Sequence, residues 1–276
     1  MSFNVRGSFR DLGRPEAWPN RAAANVAAIA RHTPGLIGLQ ECQRGNLAAY
    51  RRGLSRYDIV KGPAYGNTPP HDFNAIIYDP ERLDLVDSGG FWLSETPWRR
   101  SRSWGARVAR SANWALFETE FGPLLHLNTH LDHKSPPARR NGSALIVRII
   151  DELLRHRGSD VPTIVTGDLN CRPGTPTYRA FTDAGFADTF LATGNADTRA
   201  SNTFHAFKGV AYKDPHPARG PRRLDYIFLK DPTRRLRVLS HGILRDHDER
   251  SGQYPSDHYP ILATLAWSTP ENRTRA

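Results

Sequence analysis

The sequence has little methionine, cysteine or lysine, and it has no long apolar run. Its 276 residues include one Met and two Cys, and only 5 of the 38 basic residues are Lys. Two cysteines give neither a disulfide framework nor a zinc cluster. No stretch approaches the about 18 apolar residues of a membrane-spanning helix. We expect Cys42 and Cys171 to be buried apolar side chains without a chemical role.

The rest of the composition is that of one globular domain. Hydrophobic residues make up 38% of the chain, which is enough to bury a large core. Because the chain shows no repeat, low-complexity segment or linker, we expect a monomer with a single domain over residues 1–268 and a tail over residues 269–276. No signal peptide is visible. The expected location is cytoplasmic, with export open if residues upstream of Met1 are missing.

Arginine dominates the charge of the chain. The net charge is +10, and 33 of the 38 basic residues are Arg. A guanidinium presents a planar fork that fits phosphate oxygens, and a basic surface attracts anionic substrates. A biased amino-acid composition would give the same charge without any function. The charge therefore agrees with an acidic substrate but does not identify nucleic acid.

Polar side chains stand at the ends of several apolar, strand-like runs. Glu41 follows residues 36–39, Asp168 follows residues 163–166, and Asp225 leads into residues 226–229. Ligands of α/β folds bind in the crevice at such strand ends. Because residues two apart on an extended chain point to the same side, we expect Asp168 and Asn170 to face one ligand.

This residue set suits the hydrolysis of a phosphate ester. The ester's negative oxygens repel an incoming hydroxide, and its leaving oxygen must shed charge as it departs. A hard cation such as Mg²⁺ meets both needs, and proteins usually hold it with one or two carboxylates together with the substrate phosphate. The sequence therefore predicts a metal-assisted hydrolase.

Six motifs, spread over residues 2–267, resemble the endonuclease/exonuclease/phosphatase superfamily and occur in that family's order. They are Asn4 in Ser2-Phe3-Asn4-Val5, Glu41 in Leu-Gln-Glu, His130 in Asn-Thr-His-Leu, Gly167-Asp168-Leu169-Asn170, Asp225 in Leu-Asp-Tyr-Ile-Phe, and Ser256-Asp257-His258. The resemblance implies a four-layer α/β sandwich with two packed mixed β-sheets flanked by helices. It also implies a Mg²⁺- or Mn²⁺-dependent phosphoesterase with one site at an edge of the sandwich.

The resemblance further implies roles in an in-line attack of water on phosphorus. Glu41 is then the main metal ligand, with Asn4 and Asp257 near it. Asp168 orients or deprotonates the attacking water, and Asn170 donates a hydrogen bond to a phosphate oxygen. Acid–base help of this kind contributes ~10²–10⁴ in rate.

Two histidines and an arginine complete the implied site. His258 polarises or protonates a phosphate oxygen, and Asp225 holds its tautomer. His130 adds a second imidazole, as in the deoxyribonuclease, deadenylase and sphingomyelinase branches. The apurinic-site endonuclease branch usually has Tyr there, which disfavours abasic-site repair. Arg110 matches a phosphate-contacting Arg of deoxyribonuclease-like members, although a solvated loop Arg fits the position nearly as well. His126, on the same strand face as His130, is expected to be structural.

A rival interpretation accounts for one segment only. Residues 128–133 resemble the His-x-His-x-Asp-His motif with which metallo-β-lactamase-like hydrolases bind two zinc ions, but Asn128 stands where the first His should be. That interpretation leaves Glu41 and Asp168 unexplained. We therefore expect Asp132 and His133 to be solvated loop residues near the site.

Local signals predict two helices and three loops. Asn20 should cap a helix from Arg21 to His32, and Ser135 should open an amphipathic helix from Ala138 to about His156. The Pro, Gly and Ser content predicts loops at residues 63–72, 94–112 and 205–221, where substrate choice usually lies. Four tryptophans near the second loop fit either base stacking or, as we favour, the core. They are Trp92, Trp98, Trp104 and Trp114.

The motifs do not determine which ester is cleaved. We expect a phosphodiesterase or nuclease first, and a phosphatase for a small phosphorylated nucleotide, sugar or inositol as the alternative. A binding module that has kept the fold and lost the chemistry is disfavoured, because no motif of the set is missing.

Overall fold

The computed structural model describes residues 1–155 and 160–268. Its strands are β1 (Ser2–Asn4), β2 (Leu36–Gln40), β3 (Asp58–Val60), β4 (Ala64–Tyr65), β5 (Asp72–Phe73), β6 (Ile76–Tyr78), β7 (Asp84–Trp92), β8 (Ser111–Thr119), β9 (Gly122–His130), β10 (Thr163–Asp168), β11 (Ala187–Asp188), β12 (Asp225–Lys230), β13 (Leu236–Ile243) and β14 (Ile261–Trp267). Its α-helices are α1 (Trp18–His32), α2 (Arg44–Gly53), α3 (Pro136–Arg155), α4 (Pro176–Thr182) and α5 (Thr189–Ala192). The predicted tail, residues 269–276, lies outside the described residues.

Two six-stranded mixed sheets form the centre of the fold. The first sheet has the order β13-β14-β1-β2-β6-β3, and the second has the order β11-β12-β10-β9-β8-β7. Each contains one central parallel pair, β1 with β2 and β9 with β10, among antiparallel neighbours. The predicted α/β class with two packed mixed sheets is confirmed.

Apolar side chains divide the core into three layers. One layer packs α1 and α2 on the first sheet, with Trp18 and Tyr50 against Phe3. Another packs α3 and α4 on the second sheet, with Ile149 against strands β9 and β10. The third lies between the sheets and includes Phe117, together with apolar residues of both sheets. The helices therefore cover the outer faces, as in a four-layer sandwich.

The helix predictions were partly right. The stripe on α3 is buried as expected, and Ser135 Oγ accepts a hydrogen bond from the Ala138 N–H; the predicted end near His156 lies outside the described residues. The predicted cap at Asn20 is wrong, because α1 begins at Trp18. Pro19 fits the first helical turn, where no N–H is needed, so the helix starts before Asn20. The sequence signals missed α2.

The minor predictions about single residues had mixed outcomes. Cys42 and Cys171 are buried, as expected. Trp114 belongs to the core, whereas Trp98 is 67% exposed, so the core assignment was wrong for that residue. His126 is fully buried and bonds Thr166 Oγ1 through Nε2 at 2.8 Å, which agrees with a structural role. Within the described ranges, the helices are too short or too polar to cross a membrane.

The two sheets approach closely around Gly38 on β2. Asn128 of the second sheet donates through Nδ2 to the Leu39 carbonyl of the first at 2.8 Å. Gln40 Nε2 donates back to Asn128 Oδ1 at 2.7 Å, and Thr166 Oγ1 donates to the same oxygen at 3.0 Å. These buried polar bonds need a residue without a side chain at position 38.

We predict that Gly38→Ala lowers the free energy of unfolding by about 1–3 kcal/mol or more. The added Cβ would lie 2.0 Å from Thr166 Oγ1 and 2.6 Å from Asn128 Oδ1, so one sheet must shift. Gly142→Ala on α3 is the matched control. Its Cβ meets Leu93 at an ordinary 3.6 Å, and Ala favours a helix by roughly 0.5–1 kcal/mol. Urea unfolding measures both variants; a Gly38→Ala protein as stable as wild type would contradict the prediction.

Candidate active site

The site residues meet because strands of both sheets end at one edge of the sandwich. Asn4, His130 and Asp168 are the last residues of β1, β9 and β10. Asp225 is instead the first residue of β12, but β12 runs antiparallel to β10, so Asp225 pairs directly with Asp168. The first sheet and the loop before β14 contribute the remaining groups, including His258. The edge predicted from the strand ends is therefore the place where these residues gather.

The backbone turns sharply just beyond three of these strands. Arg6, Glu41 and Asn170 have φ values of 51°, 55° and 48°, in the left-handed region. Such conformations cost non-glycine residues of order 1–3 kcal/mol and concentrate at functional sites. The expected extended geometry from Asp168 to Asn170 is therefore wrong. Both side chains still reach the site because the turn folds Asn170 back, and its N–H donates to Asp168 Oδ1 at 2.9 Å.

Asp168 lies at the centre of the site and is 1% exposed. Asn4 Nδ2 donates to its Oδ2 at 3.0 Å, and the Nε2 atoms of His130 and His258 lie 3.4 and 3.7 Å from the same oxygen. Burial raises the pKa of Asp168 to about 7, against the opposing charge of His258. A carboxylate with this pKa can accept a proton from water near neutral pH.

His258 and Asp225 form a buried ion pair. Asp225 Oδ2 lies 2.8 Å from His258 Nδ1, and the other oxygen of Asp225 has no hydrogen-bond partner among the described residues. Burial opposes the imidazolium charge, but Asp225 and Asp168 outweigh it and raise the pKa of His258 to about 10. His258 is therefore a cation at neutral pH. Its Nδ1–H faces Asp225, and its Nε2–H faces the centre of the site.

His130 is held between a tyrosine and an amide. The hydroxyl of Tyr65 lies 3.3 Å from His130 Nδ1 and accepts a hydrogen bond from the Glu41 N–H at 3.0 Å. Asn170 Nδ2 lies 2.9 Å from His130 Nε2. Burial, together with the nearby Arg110 cation, lowers the pKa of His130 well below its usual value. His130 is therefore neutral where His258 is charged.

The predicted metal-binding carboxylates lie beside two arginines. Glu41 Oε2 is buried without a hydrogen bond, although Arg10 Nε is 2.9 Å away, and Asp257 Oδ2 is 3.3 Å from Arg6 Nη1. Burial opposes the charge of Glu41, but Arg10 and Arg6 lower its pKa. Carboxylate oxygens of this kind fit a hard cation such as Mg²⁺ or Mn²⁺. The donor set therefore fits the divalent metal that the resemblance implies.

The side-chain oxygen of Asn4 is not oriented to bind a metal directly. Its Oδ1 accepts a hydrogen bond from the Arg6 N–H at 3.1 Å, and its Nδ2 faces Glu41 at 3.3 Å and Asp168 at 3.0 Å. In this arrangement Asn4 joins the metal-binding carboxylate to the central carboxylate.

Arg110 is a buried cation that faces the site. It is 7% exposed, its Nη2 lies 3.4 Å from His133 Nδ1, and its Nε has no hydrogen-bond partner among the described residues. Its guanidinium carbon is 5.5 Å from the centre of the Tyr65 ring. No carboxylate of the described chain lies within salt-bridge distance of it. An unpaired buried cation is costly, and a phosphate would supply the missing charge.

Sequence reasoning missed several residues of the site and misplaced one. Asp132 is buried, not solvated, because four backbone N–H groups of the neighbouring loops donate to its carboxylate. Tyr65 carries no motif, and its contact with His130 depends on a long-range fold. Arg6 could have been found, since it follows Asn4 by two residues. His133 is exposed and lines the cavity.

The site opens into a cavity of about 660 Å³. Its wall combines the loop after β1, the turn between β4 and β5, the end of the 94–110 loop, and the 204–222 region. The lining residues are Arg6, Phe9, Arg10, Glu41, Gln43, Gly66, Asn67, Thr68, Pro69, Pro70, Asp72, Arg107, Val108, Arg110, His130, His133, Asp168, Asn170, Phe204, Arg222, Leu224, Asp257 and His258.

Known proteins share this fold over nearly the whole chain. The model of the Endonuclease/Exonuclease/phosphatase family matches residues 1–258. The mannosyl-6-phosphatase of Bacteroides thetaiotaomicron is 28% identical, with a TM-score of 0.83 over 96% of this chain and 98% of that one. Two structures at lower identity support the fold alone. D. rerio TDP2 complexed with single strand DNA product is 18% identical (TM-score 0.69; 96% and 97% covered), and the human Nocturnin catalytic domain is 20% identical (0.69; 96% and 93%). No curated protein matches in sequence.

We predict that Asp168→Asn lowers kcat at least ~10²-fold, because the amide cannot accept the proton.

The same change should stabilise the metal-free protein at pH 8. A raised pKa means that the folded state resists ionisation of Asp168, so stability is lost as the pH rises from about 4 to about 7. Because about three pKa units correspond to about 4 kcal/mol, removing the charge should recover up to about that much at pH 8 and little at pH 4. Urea unfolding in EDTA checks this, with the exposed Asp84→Asn as control; equal stability at pH 8 would contradict it.

We predict that Asp225→Asn reproduces much of the kcat loss of His258→Ala, and that the double variant loses little more than either single one. The 2.8 Å pair acts as one unit, and such residues are non-additive. Steady-state kinetics of the four proteins of this cycle make the test. Losses that multiply fully would show that the two residues act independently.

Proposed function

The chain belongs to the endonuclease/exonuclease/phosphatase family, whose members are phosphoester hydrolases, and from that premise we propose that it is a Mg²⁺- or Mn²⁺-dependent phosphatase for a small phosphorylated metabolite. The observation that carries this proposal is the walled cavity in front of Asp168. A sugar phosphate fits a cavity of about 660 Å³. The similarity to a mannosyl-6-phosphatase supports the same substrate class.

One wall of the cavity is fixed by bonds between two loops. Asn67 Oδ1 accepts a hydrogen bond from the Ala109 N–H at 3.3 Å, and its Nδ2 donates to the Arg107 carbonyl at 3.2 Å. The Gly66 N–H also donates to the Ala109 carbonyl at 3.0 Å. Loops bound in this way limit the length of a ligand on that side. This supports a compact substrate over a long polymer.

The chain's own residues can perform each step of hydrolysis. Arg110 and Asn170 bind the phosphate oxygens and orient the ester in front of Asp168. Asp168, with a pKa of about 7, takes a proton from the attacking water. The His258 imidazolium, whose Nε2 lies 3.7 Å from Asp168 Oδ2, stabilises the charge that develops on the phosphate. Neutral His130 contributes a further contact to the phosphate.

A bound metal would supply Lewis acidity toward a phosphate oxygen. Glu41 and Asp257 would hold the metal. Asn4, which donates to both Glu41 and Asp168, would keep these two carboxylates in fixed relative positions. Arg6 and Arg10, which contact these carboxylates, would help to balance the charge of the site.

A phosphodiesterase or nuclease is the second candidate. The net charge of +10 and the exposed Trp98 ring on the 94–110 loop favour it, since an open aromatic ring can stack on a base. The sequence analysis predicted a phosphodiesterase or nuclease first. The hydrogen-bonded loops along one side of the cavity now favour the phosphatase.

Chelation should abolish activity, and excess Mg²⁺ or Mn²⁺ should restore it. Oxygen ligands such as Glu41 and Asp257 suit hard cations. Phosphate release from a hexose 6-phosphate with EDTA, and then with each metal added back, makes the measurement. Full turnover in excess chelator would refute the metal requirement.

Salt dependence separates the two candidate functions. A polynucleotide contacts many phosphates, so its log affinity should fall with log salt by ~0.9 per contact on duplex DNA. A small monoester engages few charges, and its KM should change little. KM for a hexose 6-phosphate and for an oligonucleotide should be measured over the same salt range. Efficient cleavage of the oligonucleotide with a steep slope, and no monoester hydrolysis, would overturn the phosphatase proposal.

A further inference from the structure

We infer that the substrate carries a second anionic group and that Arg222 binds it. This inference rests on the proposed phosphatase function and specifies its substrate class. Arg222 lines the same cavity as Asp168 and His258, but on the wall formed by the 204–222 region. It belongs to no motif and makes no contact with the groups assigned to the scissile phosphate.

Arg222 is held in a defined position. Its guanidinium carbon lies 4.3 Å from the centre of the Phe204 ring, and its Nη1 donates to the Tyr212 hydroxyl at 2.6 Å. The Phe204 ring packs edge-on against His258, with ring centres 5.0 Å apart. One aromatic ring therefore separates Arg222 from a catalytic imidazolium. Such preorganisation reduces the entropy lost when a ligand binds.

Arg222 has no carboxylate partner among the described residues, which is also true of Arg107 and Arg110 in the same cavity. Arg6 lies against Asp11 and Asp257, and Arg10 lies against Glu41 and Asp72. Across residues 1–155 and 160–268, by contrast, no carboxylate lies within salt-bridge distance of the Arg222 side chain.

Arg223, the next residue in the chain, differs from Arg222 because carboxylates already pair with it. Arg223 is buried and bonds both Asp188 and Asp197, at 2.7 Å each, so its charge is already used in the fold. Asp214, on the loop that carries Tyr212, is likewise bonded to Arg172 at 2.6 Å. Arg222 is therefore a positioned cation that lines the cavity, and Asp214, whose pKa its charge helps to lower, is bonded to Arg172 and not to Arg222.

The roles proposed for the scissile phosphate do not include Arg222. Arg110, Asn170 and the metal-binding carboxylates already form the site of the scissile phosphate. The planar fork of Arg222 fits a carboxylate or a second phosphate. Two substrate types share this chemistry: a phosphorylated sugar acid and a sugar bisphosphate.

The test compares three substrates in the presence of Mg²⁺: a hexose 6-phosphate, a 6-phosphorylated hexonic acid and a hexose 1,6-bisphosphate. Phosphate release gives kcat and KM for wild type, Arg222→Gln, Tyr212→Phe and Arg234→Gln. Arg234 is an exposed residue in the turn between β12 and β13, so its variant makes the same charge change away from the cavity. Circular dichroism and thermal midpoints confirm that each variant is folded.

We expect wild type to have a lower KM for at least one substrate with two anionic groups than for the hexose 6-phosphate. Arg222→Gln should raise that KM at least ~10-fold more than the KM for the hexose 6-phosphate, as the loss of one charge-assisted pair predicts. Tyr212→Phe should give a smaller change in the same direction, and Arg234→Gln should give none. The sugar acid and the bisphosphate distinguish a carboxylate from a phosphate at Arg222.

The outcomes separate this inference from the proposed function. If wild type hydrolyses the hexose 6-phosphate but gains nothing from a second anionic group, or if Arg222→Gln affects all three substrates equally, the inference is wrong and the phosphatase stands. If wild type hydrolyses none of the three and cleaves phosphodiesters instead, both are wrong.

Discussion

The chemistry of this protein depends on the contact between its two sheets at one edge. Neither sheet carries a complete site. The first brings Asn4 and Glu41, and the second brings Asp168. The Asn4–Asp168 bond of 3.0 Å closes the gap between them. The Asp225–His258 pair makes a second link, from the second sheet to the loop before β14. A small shift of one sheet would therefore separate a metal-binding carboxylate from the central one.

Burial assigns different tasks to similar groups in this site. Burial raises the pKa of Asp168 to about 7, although the charge of His258 opposes the rise. Glu41 is less buried, and two arginines lower its pKa and keep it ionised. The pKa values of the two histidines also move in opposite directions, because Asp225 pairs with His258 and raises its pKa, whereas burial and the Arg110 charge lower the pKa of His130. The charge state of each group thus follows from its burial and its neighbours, and the roles proposed for these groups depend on it.

The abundant arginine has several structural uses, which changes the meaning of the high net charge. Arg21 is fully buried, and its guanidinium donates to backbone carbonyls of the loop after β1 and to that of Pro255, just before the Ser-Asp-His motif. It therefore fixes the loops that carry Arg6 and Asp257. Arg223 joins two aspartates inside the fold. Three arginines that line the cavity, Arg107, Arg110 and Arg222, have no carboxylate within salt-bridge distance among the described residues, so their charges are not already used in the fold.

Much of the fold and of the site could be predicted from the sequence. The six motifs predicted the fold class through their resemblance to the family, and the polar residues at the ends of apolar runs, which are local signals, predicted the edge at which the site residues gather. The sequence did not reveal Tyr65 beside His130, the inward turn of Asn170, the burial of Asp132, or the position of Arg222 above Phe204. Those depend on contacts between residues far apart in sequence and on desolvation. The local sequence does not encode these features, because folding brings the groups together, removes them from water and determines which arginines and carboxylates are paired with each other.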